Sequence, residues 1–228
     1  MESEKWYLIG ALWGDPCFGS YGGEHLIGVY GEKEFCETFA EKISRFYGLR
    51  TYVYFNKKQG CYRGCASGKN DVLRSAFNEL NSFGPFGRHK WRVPKALFQE
   101  CTAAQKFALM GYSDAEGCCN FRPNKAHRRV KWSSVNKVGL LQVRSLLNEF
   151  GISTSKLTSS SGNGGKFKSS YPCWDLTVEN CVSLARFYSQ IGFGTWRKQI
   201  KLLSILLSYK KERDINAVSE ELLWSPVG

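Results

Sequence analysis

Two carboxylates stand at matching places in two short apolar segments. Leu8-Ile9-Gly10-Ala11-Leu12-Trp13-Gly14-Asp15-Pro16 lines up with Leu109-Met110-Gly111-Tyr112-Ser113-Asp114-Ala115-Glu116-Gly117. Each segment holds small residues four apart, Gly10 with Gly14 and Gly111 with Ala115, which share one helix face and let two backbones come close. Each then reaches an acid, Asp15 or Glu116, at the C-terminal turn, where the helix dipole disfavours negative charge. The same departure from local preference at two positions 101 residues apart points to a shared task. If the two helices pack along their small faces, the carboxylates converge, and a divalent cation between them relieves their repulsion. Hard oxygen ligands favour Mg²⁺ or Ca²⁺, and Mg²⁺ keeps several waters, which suits activation of water against a phosphodiester.

The elements that must position these acids repeat. Trp6 to Asp15 reads as an apolar helix stopped by Pro16, and Cys17 to Tyr30 as two strands turning at Gly22-Gly23. Phe35, Phe39 and Ile43 recur at helical spacing within 32–47, where Gly48 ends the run. Strands are expected over Thr51 to Asn56 and Cys61 to Ala66, joined by Lys57-Lys58-Gln59-Gly60, followed by an amphipathic helix from Lys69 to Leu80. The order then restarts: a helix over Thr102 to Gly117, strand–turn–strand over Asn120 to Asn136, a helix over Val138 to Phe150, strand–loop–strand over Ser153 to Val178 about 161–165, and a helix over Cys181 to Ile191. A further apolar helix spans Trp196 to Tyr209. The expected class is α+β, a pseudo-two-fold duplication of αββαββα units, with an N-terminal half over 1–84, a linker over 85–101 and a C-terminal half over 102–228.

Composition narrows the partner. With 43% hydrophobic and 23% charged residues the chain falls near the globular average, which excludes collagen-like, coiled-coil and disordered classes. The net charge of +12 favours an anionic partner, and it is concentrated: 118–137 carries Arg122, Lys125, Arg128, Arg129, Lys131, Lys137 and His127 with no acid. No apolar run is long enough for a membrane span, and the acidic start lacks a secretion or organelle signal, so the mature chain is expected to begin at Met1. The nine cysteines are an odd, scattered set and are expected as reduced thiols in an intracellular compartment, with small buried hydrophobes preferred over a zinc site. His25, His89 and His127 form no ligand motif and are read as surface or DNA-facing.

Strand alternation sets Tyr52, Tyr54 and Asn56 on one face while Val53 and Phe55 enter the core. Arg129 and Lys131 likewise alternate with Val130 and Trp132, and Lys166 and Lys168 flank Phe167. Such a polar ribbon face fits the major groove, where Arg or Lys bonds guanine and Asn or Gln bonds adenine. Arg63, Arg122, Lys125, Arg128 and Lys137 complete the DNA-binding set, with the basic residues not on bases expected to hold phosphates.

The paired segments resemble the LAGLIDADG motif, and the chain resembles a monomeric, two-motif LAGLIDADG homing endonuclease over nearly its full length. The second segment is the closer match; in the first, Trp13 stands where an acid is usual and Pro16 replaces the final Gly. The resemblance implies two antiparallel sheets forming a DNA-binding saddle, the motif helices at the interface, and cleavage of both strands of a double-stranded DNA target across the minor groove. It implies Mg²⁺ held by Asp15 and Glu116, with Ca²⁺ or Mn²⁺ substituting in binding. It further implies auxiliary roles for Lys198, which follows Ile191-Gly192-Phe193, for Lys69 in the first half, and for Asn136 beside Lys137; the place matching Asn136 in the first half falls near Glu32. With no splice-junction nucleophile at the start and no His-Asn pair at the end, an intron-encoded or free-standing protein is expected. An RNA maturase acting on intron RNA and a non-cleaving DNA-binding regulator are the alternatives on the same scaffold.

Overall fold

The computed structural model describes residues 2–87, 89–122, 127–160 and 172–209. Lys125, Lys166 and Lys168, and the turn expected over 161–165, lie outside the described residues. Contacts divide the chain into two compact units, Met1–Glu116 and Gly117–Gly228.

The first unit contains α1 (Glu2–Trp13), β1 (Pro16–Tyr21), β2 (Glu24–Gly31), α2 (Lys33–Tyr47), β3 (Tyr52–Asn56), β4 (Cys61–Gly68), α3 (Asp71–Asn81), a short 3-10 turn (Lys95–Gln99) and α4 (Thr102–Glu116). Its sheet is antiparallel throughout, in the order β1-β2-β4-β3, with α2 and α3 on one face. Gly22 and Gly23, at φ 57° and 77°, make the β1–β2 reversal, a left-handed pair that glycine adopts without a Cβ penalty. Phe35, Phe39 and Ile43 bury the inner face of α2, and Leu73, Ala76, Phe77 and Leu80 that of α3. The Asn70 side chain caps α3 by accepting from the Leu73 N–H at 2.8 Å, an interaction typically worth about 1 kcal/mol.

The second unit repeats the plan with β5 (Gly117–Arg122), β6 (His127–Ser134), α5 (Lys137–Glu149), β7 (Thr158–Ser160), β8 (Cys173–Val178), α6 (Cys181–Arg186), a π-helical turn (Phe187–Ile191) and α7 (Trp196–Tyr209). Its antiparallel sheet runs β5-β6-β8-β7, with α5 and α7 packed on it. Trp132, Leu176 and Val178 enter its core, where Trp132 meets Phe187 edge-on. The expected α+β duplication with two four-stranded antiparallel sheets is therefore the observed architecture. By sequence α4 opens the second repeat at 102, but by packing it belongs with α1, so the compact units divide after Glu116. The 85–101 segment also contributes to the first unit's core through the buried Trp91, Val93 and Leu97.

Two strand expectations need correction. Phe55 does not enter the core: it is 51% exposed and meets only Tyr62 edge-on among the described ring contacts, because it lies at the turn end of edge strand β3. His25 is not DNA-facing; it alternates onto the helix side and packs against Phe77 of α3 with ring centroids 4.8 Å apart. All nine cysteines are free thiols, and no helix among the described residues is long and apolar enough to cross a membrane.

Candidate nuclease site and nucleic-acid interface

Helices α1 and α4 meet backbone to backbone, and the reason is reciprocal. A Cβ on Gly10 would fall on the Ala108 carbonyl oxygen, and a Cβ on Gly111 would fall on that of Tyr7. One turn further on, a Cβ on Gly14 would collide with Ala115 and sit 3.1 Å from Glu116 Cγ and 3.4 Å from Glu116 Oε1. The small residues thus bring Glu116 against the position immediately before Asp15. Asp15 itself lies beyond the helix, not in its last turn: α1 stops at Trp13, and the Asp15 carbonyl accepts from the Tyr30 N–H at 2.9 Å, which ties the chain into β2. Glu116 is the final residue of α4.

The sixth place of the two segments is filled by different means. Asp114 is 1% exposed and accepts a 2.7 Å hydrogen bond from the Tyr7 hydroxyl across the helix pair. Burial, reinforced by Asp114, raises the Tyr7 pKa well above the ordinary tyrosine value, so the phenol stays a donor. Trp13, in the corresponding place of α1, is buried in a stack with Trp91 at 5.8 Å and 11°, and Tyr112 leans on both rings. An aromatic cluster completed by Trp91 of the 85–101 connector therefore replaces the acid there, and the sequence alone gives no sign of this partner for Trp13.

Asp15 opens on a cavity of about 400 Å³ lined by Gly14, Pro16, Tyr30, Gly31, Gln59, Cys61 and Gly87. Tyr30 is pushed up to about 12, first by its hydrogen bond to Cys17 and then by burial, so it too remains protonated at neutral pH. Gln59 comes from the β3–β4 turn, which Asn56 braces: its side-chain oxygen accepts from the N–H groups of Lys58 and Gln59 at 3.1 and 3.2 Å. The Asn56 side-chain oxygen is thus engaged in its own turn. Gln59 escapes the sequence reading, yet strand direction reveals it. β1 leaves the Asp15 end, β2 returns to it, and β3, antiparallel to β4, brings the 57–60 turn back to the same end.

The same register separates Lys69 from Asp15. Gly31 pairs with Tyr62 near Asp15, whereas His25 pairs with Gly68, so Lys69 follows the far end of β4, about 20 Å away at the usual strand rise. In the second unit, Asn136 is a buried helix cap whose side chain accepts from the Gly139 N–H at 3.1 Å. Lys137 stacks its ammonium 4.1 Å above the Trp174 ring. Lys198, in the first turn of α7, sits over the start of β5: its carbonyl accepts from Cys119 Sγ at 3.6 Å, and its ammonium lies 5.8 Å from the Phe193 ring.

Of the expected nucleic-acid contacts, Tyr52, Tyr54 and Arg63 share the polar face of the first sheet. Arg122, Arg129 and Lys131 share that of the second, where Arg129 pairs with Glu179 at 3.2 Å and Lys131 with Asp175 at 3.1 Å. Arg128 has the opposite phase. It follows Val130 and Trp132 to the helix side, where its Nε donates to Ser208 at 2.9 Å and its guanidinium stacks on Tyr209.

Residues 105–192, which include the second motif, match the family described as LAGLIDADG-like domain. That stretch is less than half of the chain. No curated protein matches the chain as a relative. The fold is shared with I-DmoI in complex with DNA and Mn, at TM-score 0.53 and 16% identity over 83% of this chain and 96% of that one. Mesophilic variants of the homing endonuclease I-DmoI superpose at TM-score 0.54 and 16% identity over 83% and 89%. Full-length DUF199/WhiA from Thermatoga maritima gives TM-score 0.54 at 13% identity, over 96% of this chain and 64% of that one. The fold is thus common to this chain, I-DmoI and DUF199/WhiA.

Proposed function

We propose that this protein is a site-specific, divalent-metal-dependent endonuclease of double-stranded DNA, acting as a monomer, intron-encoded, and cutting one phosphodiester on each strand across the minor groove. The observation that carries the reading is the glycine-lined α1–α4 seam, which ends with Glu116 against the residue preceding Asp15. The fold it shares with I-DmoI, solved with DNA and Mn, supports the same reading.

The donor set fits a hard cation. Asp15 lines a cavity roomy enough for water and a phosphate oxygen, and Glu116 packs against the position of Gly14, which lines the same cavity; two carboxylates suit Mg²⁺, and Asp15 and Glu116 would hold it. When bound, the ion supplies a Lewis acid and a water of lowered pKa. The chain's own groups orient the substrate. Tyr30 lines the cavity as a protonated phenol, the Gln59 amide offers both a donor and an acceptor, and Lys57 and Lys58 bring positive charge to the same end of the sheet. Lys198 is the corresponding phosphate-stabilising cation expected in the second unit.

The fold shared with DUF199/WhiA keeps a DNA-binding regulator as the second reading, because the scaffold by itself does not specify cleavage. Selecting cleaved sites from a randomised duplex library in Mg²⁺, with binding followed in Ca²⁺, separates the two. Asp15→Asn and Glu116→Gln are expected to lower cleavage by about a hundredfold or more, the scale of losing a principal electrostatic group, while Ca²⁺-dependent binding is retained. Sequence-specific binding by a wild-type protein that never cleaves would establish the regulator instead.

A further inference from the structure

The polar face of the first sheet is not a general basic surface. Small residues floor its middle: Cys17, Gly28 and Cys65 lie side by side across three strands. Gly28 is required there, because a Cβ would stand 2.6 Å from both the Cys65 Cβ and the Gly64 carbonyl oxygen. Tyrosines rise around this floor, Tyr52 and Tyr54 each 43% exposed and Tyr21 92% exposed. Among the strand residues that alternate onto this face, Arg63 is the one basic side chain, and a second guanidinium, that of Arg50 just before β3, lies at its Tyr52 edge, 5.2 Å from that ring.

Arg63 is held in place before any ligand arrives. Its Nη1 donates to the Tyr54 hydroxyl at 2.8 Å, and its guanidinium lies 5.8 Å from the Tyr30 ring centroid and 5.9 Å from that of Tyr54. Its Nε is shielded from solvent and has no hydrogen-bond partner among the described residues. The same side chain walls a cavity of about 390 Å³ whose outer end carries Glu24. A phosphate site gathers several cations and repels a carboxylate; this one has a single guanidinium and an acid. A guanidinium held between aromatic rings over a shallow floor matches the bidentate geometry of guanine O6 and N7.

We infer that Arg63 reads one guanine in the half-site facing the first sheet, with Tyr54 as its positioning residue. This rests on the DNA-binding reading above and deepens it. Arg63 acts through base contact, not through the backbone, so its loss relaxes sequence preference at one position.

The test is selection of bound duplexes from a randomised library by the full chain in Ca²⁺, followed by affinity measurements on the selected site and its single-base variants across a salt series. With wild-type protein, one position should prefer guanine by about tenfold or more over the next base. Arg63→Gln should reduce that preference to about twofold while leaving the other positions enriched, as expected when the contact to guanine is lost. Tyr54→Phe, which keeps the ring and removes the tether, should weaken the same preference and no other. Uniform weakening on every sequence with a shallower salt dependence would make Arg63 a phosphate contact and overturn the assignment, as would an unchanged selection profile. Failure of the wild type to enrich any site would instead overturn the DNA reading itself. Thermal unfolding of each variant distinguishes lost recognition from lost folding.

Discussion

Tyr7 and Asp114 form a polar bond inside an interface that is otherwise packed with apolar side chains, and its energetics are one-sided. Tyr7→Phe keeps the ring but removes a donor from a buried carboxylate, which typically costs about 1–3 kcal/mol. Urea unfolding at pH 7 should therefore show a lower midpoint with little change in slope. The pH dependence has a definite sign. The Tyr7 pKa lies above its ordinary value near 10, so its contribution to stability is fully present below pH 10 and is lost as pH climbs beyond it toward the folded-state pKa. Wild-type protein should lose stability through this alkaline window more steeply than Tyr7→Phe. Equal slopes for the two proteins would mean that the bond does not couple ionisation to folding.

Between elements, the seam of α1 and α4 is set by glycines that meet carbonyl groups, not side chains, and a backbone cannot swing aside as a side chain does. Gly10→Ala and Gly111→Ala should each cost about 1–3 kcal/mol or more by overpacking, measured by denaturant unfolding, and should lower cleavage as well by moving Glu116 away from the segment that leads from α1 to Asp15. Loss of stability without loss of cleavage would detach the seam from the chemistry. This seam was legible from residue types alone: paired small residues four apart, twice, ahead of an acid. The partner of Trp13 was not, because Trp91 comes from a connector with no periodicity to announce a core residue. Nor was the separation of Lys69 from Asp15. Helix and strand patterns place residues within an element, whereas the end of the sheet at which a residue emerges follows from strand direction, and that same count returns Gln59 to the Asp15 end. Arg128 illustrates the limit of a charge run. One residue of phase turns it to the helix side, where Ser208 and Tyr209 hold it.

At the scale of the whole chain, charge and contact type are divided between the two units. Residues 1–116 hold 15 basic and 13 acidic side chains, whereas 117–228 hold 17 and 7. The polar face of the first sheet offers tyrosines around Arg63, with Arg50 at its Tyr52 edge, while that of the second sets Arg129 and Lys131 against Glu179 and Asp175. Both pairs moderate the positive field that a polyanion meets, the exposed Arg129–Glu179 pair contributing little to stability, roughly 0–1 kcal/mol, and the Lys131–Asp175 pair being half-buried. The second unit should accordingly supply most of the salt-sensitive attraction, and the first unit more of the base discrimination. Asp175→Asn tests the division directly, since it leaves Lys131 without its carboxylate partner on a surface already rich in cations. Binding to random-sequence duplex in Ca²⁺ should tighten, and the plot of log affinity against log salt should steepen by up to about one unit if the released ammonium takes up a phosphate. Tyr52→Phe on the first sheet removes no charge and should leave that slope where it was. A slope that responds to Tyr52→Phe and ignores Asp175→Asn would reverse the division, placing the electrostatic grip on the nearly neutral unit.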